Sequence, residues 1–144
     1  MKIKNIIFST IIATATMCYP LNSRAFDLSI DSDDYFKIRS EIKSKNFNDF
    51  QAKKFCETTI GTPVRFTSKV VDVNKDGVIL ADMDIDKVLS LPEIYLTLSS
   101  EKETLSVNDG QVIQYTGNIS DCYYGTNTGI FQLAINNGKL QLHY

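Results

Sequence analysis

The sequence predicts a mainly β domain: a small Greek-key barrel of five to six strands, preceded by N-terminal helices. Three observations carry this reading. Apolar residues change from helical spacing to strict alternation at Val64, and turn signals then recur between short apolar runs. Two cysteines, Cys56 and Cys122, remain once an export leader is set aside.

The leader comes first. Lys2 and Lys4 precede an uncharged apolar run from Ile6 to Tyr19, Pro20 breaks it, and Ser23-Arg24-Ala25 places small residues where a signal peptidase reads. Residues 1–25 are therefore expected to be a cleavable signal peptide, because the apolar run is shorter than the roughly 20 residues that span a bilayer. Cys18 follows Met17, where a lipid-modification signal needs a small side chain, and is expected to leave with the leader. What remains, residues 26–144, suffices for one domain with one core. The chain carries 15 basic and 17 acidic residues, and loss of Lys2, Lys4 and Arg24 makes the remainder more acidic. That balance opposes general nucleic-acid binding, which relies on accumulated Lys and Arg. Export to the periplasm or beyond the cell also means an oxidising compartment, in which Cys56 and Cys122 are expected to bond.

Residues 26–60 read as a helical segment. Asp33 or Asp34 can cap a helix from about Tyr35, with Tyr35, Ile38 and Ile42 on its apolar face and Lys37, Arg39 and Lys43 toward water. Asn46 or Asn48 can cap a second helix carrying Phe47, Phe50 and Phe55, which Gly61 ends ahead of Pro63.

Residues 61–144 read as the barrel. Val64, Phe66, Ser68 and Val70 alternate with Arg65, Thr67 and Lys69 in a first strand, and Asn74-Lys75-Asp76-Gly77 turns the chain into a second from Val78 to Met83. Ile94, Leu96 and Leu98 alternate with Tyr95 and Thr97 in a third strand. A helical turn within 100–107 ends at Asn108-Asp109-Gly110, and Val112 to Cys122 forms a fourth strand that Gly117 can bend. A closing hairpin is expected from Ile130 to Tyr144, turning at Asn136-Asn137-Gly138. Strands in this order, with a helical turn between the third and fourth, match a Greek-key barrel of the OB type.

The run Gly61-Thr62-Pro63-Val64, the strand end Val70-Val71-Asp72-Val73, and the stretches Leu105 to Val112 and Tyr115-Thr116-Gly117-Asn118-Ile119 resemble the small bacterial OB-fold proteins described as tRNA-anticodon-like. The resemblance covers about residues 45–144. The order Asn108-Asp109-Gly110 departs from the Gly-Asp of that pattern. The resemblance implies a fold far more than an activity.

Candidate chemistry is sparse. Asp72, Asn74 and Asp76 with Gly77 fit the opening of a calcium loop, but the twelfth position, where an acidic ligand belongs, is Met83. An ordinary polar turn is the expected reading, with Asp82, Asp84 and Asp86 as a solvated acidic face, and no metal or other cofactor is expected. The single histidine, His143, lies beside the C-terminus. No zinc spacing, Gly-rich phosphate loop or catalytic triad pattern occurs, so no enzyme is expected. The expected function is an exported, non-enzymatic binding module for a protein or an oligosaccharide. Its ligand face would use Tyr95, Tyr123 and Tyr124, with Arg65 and Lys69 as cations, since aromatics on an OB face stack on sugars or bases. The alternatives are an oligomeric glycan-binding adhesin or toxin-type B subunit, and a single-stranded nucleic-acid binder, which the acidic charge opposes.

Overall fold

The computed structural model describes residues 29–86 and 91–141. The expected leader with Cys18, and His143, lie outside the described residues. Strand β1 (Ile30–Asp31) leads directly into helix α1 (Ser32–Ser44), and helix α2 (Asp49–Thr59) follows. The barrel strands are β2 (Pro63–Val73), β3 (Ile79–Asp82), β4 (Ile94–Leu98), β5 (Val112–Tyr124) and β6 (Phe131–Leu140), with the short helix α3 (Glu101–Leu105) between β4 and β5. The sheet order is β1-β2-β3-β4-β6-β5, and β5 pairs back onto β2. Five strands therefore close a barrel, with β1 added at an edge. All barrel pairings are antiparallel except β4 with β6, which is the OB-type Greek key that the sequence predicts.

The first helix starts earlier than expected. Asp31, not Asp33 or Asp34, is the N-cap, and its N–H donates to Oδ2 of Asp34 at 3.3 Å. The reason is tertiary. Ile30 and Asp31 pair in parallel with Val64 and Arg65, and Ser32 Oγ accepts the Thr67 N–H at 2.8 Å. The extended backbone this requires suits an N-cap residue, so the helix begins at once.

Helix α1 closes one end of the barrel. Tyr35 and Ile42 are fully buried, and Tyr35 stacks on Phe131 while meeting Phe66 edge-on. Arg39 does not face water. Its guanidinium pairs with Glu93 at the entry to β4 and lies over the rings of Tyr35 and Phe36, while Glu93 Oε2 accepts the Met83 N–H at 3.1 Å. A buried carboxylate that needed a partner thus turned an apparent surface cation inward.

Asn48 caps α2 in a reciprocal box with Gln51, at 2.9 and 3.0 Å. Ala52 and Cys56 face the barrel, and Cys56 is bonded to Cys122 on β5 with Cα atoms 5.1 Å apart. Phe50 is exposed beneath Lys54 rather than packed with Phe47 and Phe55. Gly61, at φ 87°, takes the left-handed step that ends the helix and admits β2.

The inward residues of β2, β3, β4 and β6 join one core with Ile113, Tyr115 and Ile119 of β5. Within it, Tyr115 Oη and Ser68 Oγ are 2.9 Å apart, so both buried hydroxyls are satisfied. Asp82 is buried too, contrary to the solvated acidic face expected for it. The β5–β6 register shifts by one residue across Gly117, as predicted for a bend.

The final hairpin is not formed. Asn136-Asn137-Gly138 lies within the continuous strand β6, where Asn137 has φ 51° and the register against β5 shifts between Asn136 and Lys139. These residues make a bulge instead of a turn. Gly138 sits opposite Leu98 on β4, and a Cβ there would lie 2.7 Å from Leu96 Cδ1 and 3.0 Å from Thr97 O. The glycine is required by close strand approach at the parallel seam.

Candidate functional site

The outer wall of the barrel carries an open groove of ≈ 430 Å³ across β4, β6 and the end of β5, reaching the β2–β3 turn at Asn74 and Val78. Strand register explains its shape. Tyr95 lies opposite Ala134, and Ala134 lies opposite Asp121, so a row across three strands has a methyl at its centre between two larger side chains. That small residue leaves the floor open. In the neighbouring row Gln132 lies opposite Tyr123.

Gln132 organises one wall. Its Nε2 donates to Pro92 O at 2.8 Å and to Tyr95 Oη at 3.3 Å, which holds the half-buried Tyr95 ring by its hydroxyl. Tyr123 forms the other wall and is 55% exposed. It lies over Gly125, where a Cβ would be 3.0 Å from its hydroxyl. The remaining polar groups at the rim are the Thr97 and Ser120 hydroxyls, the Asn74 amide and the Asp121 carboxylate. Among the described residues, no Lys or Arg lines the groove.

The structure thus brings together two of the five expected ligand residues, Tyr95 and Tyr123. Tyr124, the next residue on β5, alternates to the other side and is half-buried against the core, bordering a separate cleft beside α2. Arg65 and Lys69 stand on β2, with β3 between them and β4. Arg65 pairs in register with Asp31 and Thr116, and Lys69 with Asp82 and Val112. Sequence alternation correctly turned them outward but could not say which part of a closed wall they would occupy. Gln132, Ala134 and Asp121 were missed, because an alanine in a strand gains meaning only when its cross-strand neighbours are known.

Two of the calcium-loop candidates, Asp72 and Asn74, accept local hydrogen bonds through their side chains, and Asp76 contributes its backbone N–H. Asn74 Oδ1 accepts from the N–H groups of Asp76 and Val78 at 2.9 and 3.0 Å, and Asp72 Oδ1 accepts from Val73 N at 2.9 Å. These contacts build an Asx-type turn. Met83, at the twelfth position, is buried. Among the described residues, no group of three or more His, Cys, Asp or Glu is placed to hold a metal ion. Burial raises the pKa of Tyr115 and of Tyr35, the latter aided by the nearby Glu93 charge, so both phenols stay protonated inside the barrel. None of the family models, curated proteins or solved structures compared with this chain matches it.

Proposed function

We propose that this protein is an exported, non-enzymatic OB-type module that binds an oligosaccharide in the groove between Tyr95 and Tyr123. One observation carries the reading: the half-buried Tyr95 and the exposed Tyr123 border a groove with neutral hydrogen-bonding groups, on a face that shares the third barrel strand and the first barrel turn with the usual OB ligand surface and is completed by the fourth and fifth barrel strands. Aromatic faces stack on sugar rings, while the Thr97, Ser120, Asn74 and Gln132 groups suit hydroxyls. A phosphate backbone would instead meet the Asp121 carboxylate with no cation in the lining. This favours sugar over nucleic acid. The Cys56–Cys122 bond supports an oxidising compartment and hence export. We propose, on the sequence resemblance alone, a relationship of fold with the tRNA-anticodon-like OB proteins.

Calorimetric titration of the exported form against a panel of neutral oligosaccharides tests the reading, with single-stranded DNA as control. Binding to at least one sugar is expected, weakened about 30-fold by Tyr95→Ala, as for an anchoring aromatic worth about 2 kcal/mol. Ala134→Leu should block it by filling the floor. DNA binding that persists in Ala134→Leu, with no sugar bound, would overturn the proposal.

A further inference from the structure

The Tyr95 groove continues past Thr97. A second open cleft of ≈ 470 Å³ runs between the β2–β3 turn and helix α3, and Asn74 and Thr97 line both spaces. Groove and cleft therefore meet at a gap with Asn74 on one side and Thr97 on the other. From the row of Tyr123 and Gln132, through the row of Tyr95 and Ala134, to Thr97 is two pleat repeats, about 13 Å along the strands. That distance already exceeds a disaccharide, with the cleft still ahead.

Both sides of the gap are held in place by the chain itself. Asn74 Oδ1 accepts the N–H groups of Asp76 and Val78, and Gly77 brings the turn against α3, where a Cβ would lie 3.8 Å from Thr104 Cγ2. Helix α3 is tied to β6 in turn, since Glu103 Oε2 accepts the Leu140 N–H at 3.4 Å. Two polar groups at the gap are left over: among the described residues, neither Asn74 Nδ2 nor the Thr97 hydroxyl has a hydrogen-bond partner within the protein. Beyond the gap, Leu105 borders the cleft and is 80% exposed. The charged groups of the cleft are Lys75, Asp76 and Glu101, and that of the groove is Asp121, so the combined lining has no net positive charge to attract an anion.

We propose that groove and cleft form one continuous site for a neutral, linear oligosaccharide longer than a disaccharide. The ligand lies along Tyr123 and Tyr95, passes between Asn74 and Thr97, which bond its hydroxyls, and reaches Leu105, whose apolar surface meets the C–H face of a sugar. Walls fixed by internal hydrogen bonds hold successive sugars without first having to be ordered. This inference rests on the oligosaccharide reading above and adds the length and course of the ligand.

Calorimetric titration of the oxidised exported chain with cello-, malto- and N-acetylchito-oligosaccharides of two, four and six units tests it. In at least one series the hexasaccharide is expected to bind about tenfold tighter than the disaccharide, more than the gain from repeated binding frames alone. Asn74→Asp removes the amide donor while its carboxylate still accepts the two turn N–H groups, and Leu105→Ala trims an exposed side chain, so thermal melts should show both variants folded. Each should narrow the ratio of hexasaccharide to disaccharide affinity about threefold, whereas Tyr95→Ala should weaken both ligands. A wild-type affinity that does not rise with length, or a ratio that either variant leaves unchanged, overturns the inference, while weakening by Tyr95→Ala shows that the groove reading stands. Failure of every sugar to bind overturns both.

Discussion

The molecule holds two pairs of tyrosines under opposite conditions. Tyr35 and Tyr115 are sealed inside the barrel end and interior, where their rings pack on Phe66 and Tyr115 shares a hydrogen bond with Ser68. Tyr95, half-buried, and Tyr123, exposed, stand on the outer wall and border the groove. Residue type alone does not separate them. What differs is the strand parity at which each sits and the size of its cross-strand neighbours: Tyr115 faces Phe66 in register, whereas Tyr95 faces Ala134. A large residue beside a large residue makes core, and a large residue beside a methyl on the outer face makes a groove.

The contrast can be broken from the inside first. Phe66→Ala should cost about 3–5 kcal/mol, because it removes the ring that both interior tyrosines touch. Chemical denaturation measures it, and a loss below about 1 kcal/mol would mean that the interior pair is not packed as described. Reduction of Cys56–Cys122 is expected to cost about 4 kcal/mol for a loop spanning a separation of 66 residues. A melting curve that does not change on reduction would contradict this, as would a free thiol titrated in the native protein.

A smaller effect concerns protons. The folded pKa values of Tyr35 and Tyr115 are raised above the ordinary value near 10, so the folded state retains protons that the unfolded state gives up. Their contribution is fully present below pH 10 and is lost progressively as the pH climbs above it. Tyr115→Phe should cost about 1 kcal/mol at neutral pH through loss of the Tyr115–Ser68 hydrogen bond, with Ser68 Oγ keeping its 3.3 Å contact to Met83 Sδ, and should soften the alkaline decline. An unaltered slope above pH 10 in that variant would show that Tyr115 does not supply it. The smallest expected effect sharpens the comparison most: Tyr95→Ala should change stability by less than about 1 kcal/mol, since its main tie is the 3.3 Å contact with Gln132. If it destabilised as much as Leu96→Ala, Tyr95 would belong to the core and the groove would lose its wall.

Much of the barrel was legible because period-two alternation in β2 and β4 states which side chains face inward, and Gly61, Asn74-Gly77 and Gly117 carry local backbone requirements that context does not override. Asn136-Asn137-Gly138 was misread because the same residues serve a turn or a bulge, and only the parallel pairing of β6 with β4 decides. Arg39 was read as a surface residue because its contact with Glu93 joins elements distant in sequence and leaves no local trace, and Asp82 because an acidic run gives no sign that the end of β3 is covered. The groove was half legible. Tyr95 could be placed outward by alternation and Tyr123 was named as a loop aromatic although it lies within β5, but Ala134 and Asp121 became site residues only once register put them beside those rings.

The Cys56–Cys122 bond also bears on the order in which the barrel assembles. Barrel closure requires β2 to find β5, a pairing of Pro63 with Asn118 between segments far apart in sequence, and such long-range pairings make folding slow. With the disulfide in place, the path from Pro63 back to Cys56 and on from Cys122 to Asn118 is roughly a dozen residues, so the loop entropy of closure falls to that of a local contact. Oxidation before barrel closure would therefore turn the most distant strand pair into one of the nearest. A chain oxidised while still unfolded should then refold faster than its reduced counterpart, because the strand pairing that nucleates the reduced chain late becomes available from the start.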